Sequence, residues 1–245
     1  MIRLYVENDL AAETAIALGK DQSHYLANVM RVKAGEEIAL FNGRDGEWRG
    51  RLDKVAKSGV VIALDTQTRQ QILEPDLWLL AAPIKKDRID LVAEKATELG
   101  ISVLWPVLTH RTIISRVNTL RLAANMTEAA EQCERLSVPE MRAPTPLDKA
   151  LADWDPDRVL LFLDESGNAA PVAEALKGLP AGKLAVLVGP EGGFDDAERA
   201  LLARLDFAVP LSLGPRILRA ETAAIAALAL TQALLGDWNQ RPRAS

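Results

Sequence analysis

Arg216 and Arg219 stand three residues apart in LSLGPRILRAETAAIAAL (211–228), with Glu221 two residues further on. There an apolar strand turns at Gly214 and Pro215 into an alanine-rich helix. A helix start favours a small polar cap and an acidic first turn. Two guanidiniums at that place oppose the helix dipole, so a task other than helix stability accounts for them. Fixed positive charge of this kind stabilises an anion that develops during a reaction.

A second stretch, LAVLVGPEGGF (184–194), runs an apolar strand into Gly189, Pro190, Glu191, Gly192 and Gly193 before a helix. Glycines at the carboxyl end of a strand let a ligand approach the backbone, and open α/β sheets bind ligands there. A tight turn without a ligand explains the same residues, and both readings stay open on this loop alone. Its spacing is not the G-x-G-x-x-G of a dinucleotide site, and no Lys-Ser/Thr pair follows to make a phosphate loop. The strand end LLFLDESG (160–167) looks like the other two. Together the three could form one pocket walled by Leu163, Leu211, Leu213 and Leu218, suited to a flat aromatic base held by main-chain groups.

Further along, EAAEQCER (128–135) sets Glu128, Gln132 and Arg135 at i, i+4 and i+7, on one face of a helix. Without a partner such a face is simply solvated. Cys133 has no histidine near it in sequence and reads as a packing residue, and His24 and His110 read as capping or packing residues.

The elements that must position these groups change character near residue 72. Before it lie short strand-like runs at 2–6, 36–41, 47–55 and 59–65, with the turn signal NGRDGE at 42–47. Between the first two, residues 23–36 place Leu26, Val29 and Met30 at helical spacing. After it, apolar strands at 77–83, 102–108, 158–164, 183–189 and 208–214 alternate with amphipathic helices at 87–100, 119–136, 171–177 and 195–205 and a last helix. That alternation predicts a parallel sheet covered on both faces.

Composition narrows the classes further. Hydrophobic residues make up 49% and charged residues 26%, and the net charge is -5, which excludes nucleic-acid binding by bulk charge alone. Local basic patches must then do such work. Residues 1–72 are balanced in charge, and Arg31, Lys33, Arg44, Arg49, Arg51, Lys54 and Lys57 fall close together there, which makes the smaller module the candidate for phosphate contacts. One cysteine allows no intrachain disulfide, and two distant histidines suggest no metal site. The amino terminus lacks a basic region followed by an apolar run, and no apolar stretch is long enough to span a bilayer, so a cytoplasmic protein with no membrane role is expected.

GPEGGF (189–194) with LSLGPRILRAETA (211–223) resembles the RsmE family of 16S ribosomal RNA uridine-N3 methyltransferases of the small subunit. KATELG (95–100), EAAEQCER (128–135) and HYLANVMRVKAGE (24–36) are similar to that family's other signature segments, although Tyr25 and Met30 stand where the family is more aliphatic. The resemblance implies a PUA-like RNA-binding β-barrel over 1–72. Over 73–245 it implies an α/β fold of the SPOUT class, a parallel sheet with helices on both faces and a C-terminal segment threaded into a trefoil knot. It implies S-adenosylmethionine as cofactor, held around Leu163, Gly189, Pro190, Glu191, Gly192, Gly193, Leu211, Leu213, Gly214 and Leu218.

The implied reaction removes the weakly acidic proton of uracil N3 while a methyl group approaches in line, so a fixed cation belongs beside the developing anion. Arg219 is the first choice and Arg216 the second. Glu221 either orients Arg219 or takes the proton. The helix dipole and Arg219 favour its charged form, which weakens it as a base; Glu191 and water are the alternatives. RNA would be steered by Arg31 and Lys33. The family resemblance also implies a homodimer with the pocket at the interface, EAAEQCER with its Arg135 reaching the site from the partner chain, and 16S rRNA within the assembled small subunit as substrate. Methylation of a ribose 2′-oxygen, or a ribosome-assembly factor without catalysis, are the alternative functions.

Overall fold

The computed structural model describes residues 1–56, 59–114, 116–167 and 169–240; Lys57, the last of the basic residues named above, lies outside them. The chain divides into two compact units, one formed by residues 1–73 with 130–138 and the other by 74–129 with 139 onward.

In the first unit the elements are β1 (Ile2–Tyr5), β2 (Ala15–Ala17), α1 (Lys20–His24) running directly into a π-helical turn (Tyr25–Val29), β3 (Glu37–Phe41), β4 (Glu47–Ala56) and β5 (Gly59–Arg69). They form a five-stranded sheet in the order β1-β3-β4-β5-β2, antiparallel except for the β1–β3 pair. The β3–β4 turn follows from Asn42, whose Oδ1 accepts the N–H groups of Arg44 and Asp45 at 3.0 and 2.8 Å. Three register shifts along β4–β5 bend the pair, because each bulge kinks the strand and raises its twist. The curved sheet encloses a core of Leu4, Ile16, Ile38, Leu40, Leu52, Ile62 and Leu64, with Leu26 from the helical segment.

Two helical segments depart from a regular α-helix. The spacing of Leu26, Val29 and Met30 does mark a helical segment, but only Leu26 is buried, since the π turn rotates the other two outward. The helix read as 119–136 stops at Gln132, and Glu134 takes a left-handed φ of 63°, which turns the following residues off its face.

The second unit contains β6 (Leu77–Ala81), α2 (Lys86–Glu98), β7 (Val103–Leu108), α3 (Thr119–Gln132), β8 (Glu140–Met141), β9 (Thr145–Pro146) and α4 (Leu147–Ala152). Then come β10 (Val159–Leu163), β11 (Ala170–Pro171), α5 (Val172–Ala175), β12 (Leu184–Val188), α6 (Asp196–Leu202), β13 (Ala208–Ser212) and α7 (Ala220–Leu235). The strands run in the order β11-β13-β10-β12-β6-β7-β8, with β9 beside β7, and every pairing is parallel. All five residues of β12 are buried, as a continuous apolar strand inside a parallel sheet must be.

The strand order decides where a ligand can bind. β10 lies between β13 and β12, so Leu163 faces Leu211 in register and Phe162 faces Leu187. The three loops flagged from sequence therefore leave neighbouring strands at the same edge of the sheet. Among the described residues, no helix is long and apolar enough to cross a membrane.

Candidate active site

At that edge the three loops enclose a cavity of about 280 Å³. Leu163, Asp164, Glu165 and Gly167 come from the β10 end, Gly189, Pro190, Glu191 and Gly193 from the β12 end, and Leu211, Leu213, Gly214, Pro215, Arg216 and Leu218 from the β13 end. Nine of the ten residues expected to hold a cofactor thus line one space. Gly192 does not; its carbonyl accepts a hydrogen bond from Arg111 Nη1 at 2.7 Å.

Backbone conformation explains two of the glycines. Gly193 closes the turn through its N–H to Pro190 O at 2.9 Å with a φ of 64°, and a Cβ there would collide with the Glu165 carboxylate. Gly214 has a φ of 97° and no atom near the place a Cβ would occupy, so its peptide borders open space. Both positions fall in the left-handed region that side chains disfavour.

The charged candidates separate. Arg216 lines the cavity, whereas Arg219 is exposed at the N-cap of α7, outside the lining, and makes no side-chain capping bond. Glu221 does not pair with Arg219. Instead the guanidinium of Arg88, at the start of α2, reaches both carboxylates of interest: Nε lies 3.5 Å from Glu221 Oε1 and Nη1 3.7 Å from Glu191 Oε1. Glu221 is buried and its Oε2 has no hydrogen-bond partner, while Glu191 is 44% exposed and lines the cavity.

Sequence reasoning missed Arg88, although KKDR (85–88) carries the same signal as the loop at 216–219, cations in a first helical turn against the dipole. Pairing Glu221 with Arg219 rested on proximity in sequence. In the fold Glu221 is buried beside Arg88, while Arg219, at the N-cap, is exposed.

Below the glycine loop, α6 begins with a reciprocal capping box in which Asp195 accepts from the Glu198 N–H and Glu198 accepts from the Asp195 N–H. His110 joins it, its Nδ1 2.6 Å from Asp195 Oδ2 and its backbone N–H donating to Glu198 Oε1 at 2.8 Å. The hydrogen bond to Asp195, with the charges of Asp195 and Glu198 behind it, holds His110 above the ordinary imidazole value. Asp195 lies below the usual carboxylate range, first through the Glu198 N–H and then through His110. His110, Asp195 and Glu198 bring possible ligand atoms within 4.8 Å of one another. Both Glu198 oxygens and one Asp195 oxygen are already occupied by backbone donors, so the cluster serves as a cap.

The residues expected to meet RNA also divide. Arg31 and Lys33 are exposed in the first unit. Arg135 is 7% exposed and its Nη2 lies 3.4 Å from Ser137 Oγ. The i, i+7 spacing that placed it on the face of Glu128 and Gln132 holds only while a helix continues, and this one has ended. Its guanidinium is folded into the protein instead of being presented to a phosphate.

Comparison with known proteins adds ancestry to this geometry. Residues 73–232 match the family described as RNA methyltransferase domain, and residues 18–65 match the RNA methyltransferase PUA domain. The chain is 34% identical to the ribosomal RNA small subunit methyltransferase E of Rickettsia conorii over 96% of each chain. It is likewise 34% identical to the protein of that name from Synechocystis, over 95% of this chain and 78% of the relative. Among solved structures, the Neisseria gonorrhoeae ribosomal RNA small subunit methyltransferase E bound to S-adenosylmethionine superposes with a TM-score of 0.89 at 28% identity, covering 97% of this chain and 99% of the other. One third of positions identical, carried through both units with the same fold, is common descent along nearly the whole chain: the protein belongs to the ribosomal RNA small subunit methyltransferase E family.

Proposed function

We propose that this protein transfers a methyl group from S-adenosylmethionine to N3 of a uridine in 16S ribosomal RNA. The observation that carries the reading is the cavity at three adjacent parallel strand ends, in a chain that matches the RNA methyltransferase family over residues 73–232. When bound, S-adenosylmethionine supplies an electrophilic methyl group on a sulfonium.

The residues present suit that ligand. Leu163, Leu211, Leu213 and Leu218 offer apolar walls for an adenine, and Gly214, whose N–H donates to Ser212 Oγ at 3.3 Å, leaves the space of a side chain open for the ligand to approach the backbone. Asp164, Glu165 and Glu191 set carboxylates around a molecule that carries positive charge. Pro190 and the turn closed by Gly193 keep that wall in place. Gly192 acts one step back, through Arg111.

The chain must also take up a proton and neutralise an anion. Accessibility favours one of the two carboxylates: Glu191 borders the cavity, while Glu221 is buried and outside its lining, which supports Glu191 as the acceptor of the N3 proton and Glu221 as the anchor of Arg88. Arg219, extended into solvent with no ion pair of its own among the described residues, is the cation that closes on the uracil, with Arg216 at the cavity wall beside it. The enzyme acts as a homodimer: Ile217 lines the cavity while 90% exposed, apolar surface at a ligand site that a second chain would cover. A ribosomal substrate implies a cytoplasmic place of work.

The test incubates the protein with isotopically labelled S-adenosylmethionine and either intact small subunits or naked 16S rRNA, followed by mass spectrometry of the nucleosides. Label in 3-methyluridine supports the reading, with more from small subunits. Label in a ribose-methylated nucleoside, or none in either RNA, overturns it.

A further inference from the structure

The helical segment of the first unit ends in a way that core packing does not require. An α-helix continuing through Met30 would set Leu26, Val29 and Met30 along one stripe facing the core. Only Leu26 faces it, at 0% exposure, while Tyr25, Val29 and Met30 are 42%, 60% and 44% exposed. The cause is the π turn: the Met30 N–H donates to Tyr25 O, five residues back, at 2.9 Å, and the wider turn carries residues 29 and 30 off the stripe. Arg31 then adopts a left-handed φ of 55°, costly for a residue with a side chain. Only after it does Val32 re-enter the core. Helical regularity and backbone comfort are both given up where three apolar side chains turn to solvent, and such irregularities gather at functional sites.

The segment is nonetheless firmly seated. Ser23 is buried, donates from Oγ to Leu18 O at 3.2 Å and accepts the Val60 N–H at 3.1 Å, which pins α1 against β5. His24 and Asn28 meet at 3.0 Å between Nδ1 and Nδ2 on the exposed side. The outward face is therefore a fixed platform on the sheet.

Charge beside the platform indicates what covers it. Arg44, Arg49 and Arg51, from the same unit, are engaged by Asp9, Asp65 and Glu37 at 2.9, 3.5 and 2.6 Å. Arg31 and Lys33 are exposed and form no ion pair among the described residues. An aromatic ring and flexible apolar groups next to uncommitted cations match the chemistry of single-stranded RNA, whose bases offer π faces and whose backbone offers phosphates.

We infer that Tyr25, Val29 and Met30, together with Arg31 and Lys33, form a single-stranded RNA contact in which Tyr25 stacks on an unpaired base and the two cations meet the flanking phosphates. This rests on the proposed RNA substrate and names the surface that grips it outside the methyl-transfer pocket.

The test measures fluorescence anisotropy of a labelled single-stranded RNA of about 15 nucleotides with the full chain. Each variant is checked by thermal melting and by calorimetric binding of S-adenosylmethionine, both of which stay as in the wild type. Tyr25→Ala weakens RNA binding about tenfold with the salt dependence unchanged, and Tyr25→Phe stays within about twofold, because stacking needs the ring and not the hydroxyl. Arg31→Ala weakens binding and reduces the slope of log affinity against log salt by about one; Arg44→Ala, whose cation is already engaged, costs less. Unchanged RNA affinity in Tyr25→Ala and in Val29→Ser/Met30→Ser overturns the inference. So does a loss of self-association in those variants with RNA affinity intact, which assigns the patch to a second copy of the chain. If wild type transfers no methyl group but the RNA contacts behave as described, the proposed activity falls and the RNA contact stands.

Discussion

Arg88 ties together two carboxylates that lie far apart in the chain, Glu191 in the glycine loop and Glu221 in the first turn of α7. Its removal leaves the buried Glu221 carboxylate without a cation, which costs more than the pair itself contributes. Arg88→Ala is expected to lose roughly 2 kcal/mol in chemical denaturation. Arg88→Ala/Glu221→Gln should recover about half of that, because no buried charge is then stranded. Equal destabilisation of the single and double variants would show that the pair carries no weight. Arg219 is expected to behave differently, since it supports no neighbour. Arg219→Ala should lower kcat about a hundredfold with the affinity for S-adenosylmethionine within about twofold, the pattern of a group that acts only in the transition state.

At the scale of elements, the pocket depends on how the loop after β12 enters α6. Gly193 allows the turn a left-handed residue and leaves room for Glu165. Gly193→Ala meets a conformational cost of about 1–2 kcal/mol and a collision, so calorimetry should show cofactor affinity at least about tenfold weaker. The cap of α6 adds a pH dependence. His110 is raised above its ordinary value, so its contribution is complete below that value and is lost as pH rises through the raised one. Asp195 is lowered, so its share is present above the ordinary carboxylate value and is lost as pH falls through the lowered one. His110→Ala should therefore lower Tm at about pH 6 and leave it unchanged at about pH 9. A constant difference across that range would contradict the assignment.

For the whole molecule, the proposed homodimer makes a claim that mass can check. Light scattering should give twice the chain mass, and Ile217→Glu, which puts a charge on the exposed apolar surface at the pocket, should give the mass of one chain. A single-chain mass in the wild type, or an undisturbed dimer in Ile217→Glu, would contradict it. Much of the architecture was legible from the sequence, and the reason is local. Apolar runs such as LAVLV mark buried parallel strands, glycine at their ends marks turns, and three like ends mark one ligand edge once the strands are adjacent. The pairings were not legible. Glu221 meets Arg88 rather than Arg219, Arg135 folds inward after α3 stops at Gln132, and a π turn sends Val29 and Met30 outward. Period, turn residues and composition act over a few positions, so the sequence by itself determined the kinds of elements and the loops that could hold a ligand. Which charges meet, and which apolar groups face water, depends on the packing of segments more than a hundred residues apart and on where each helix ends, and only the tertiary structure decided it.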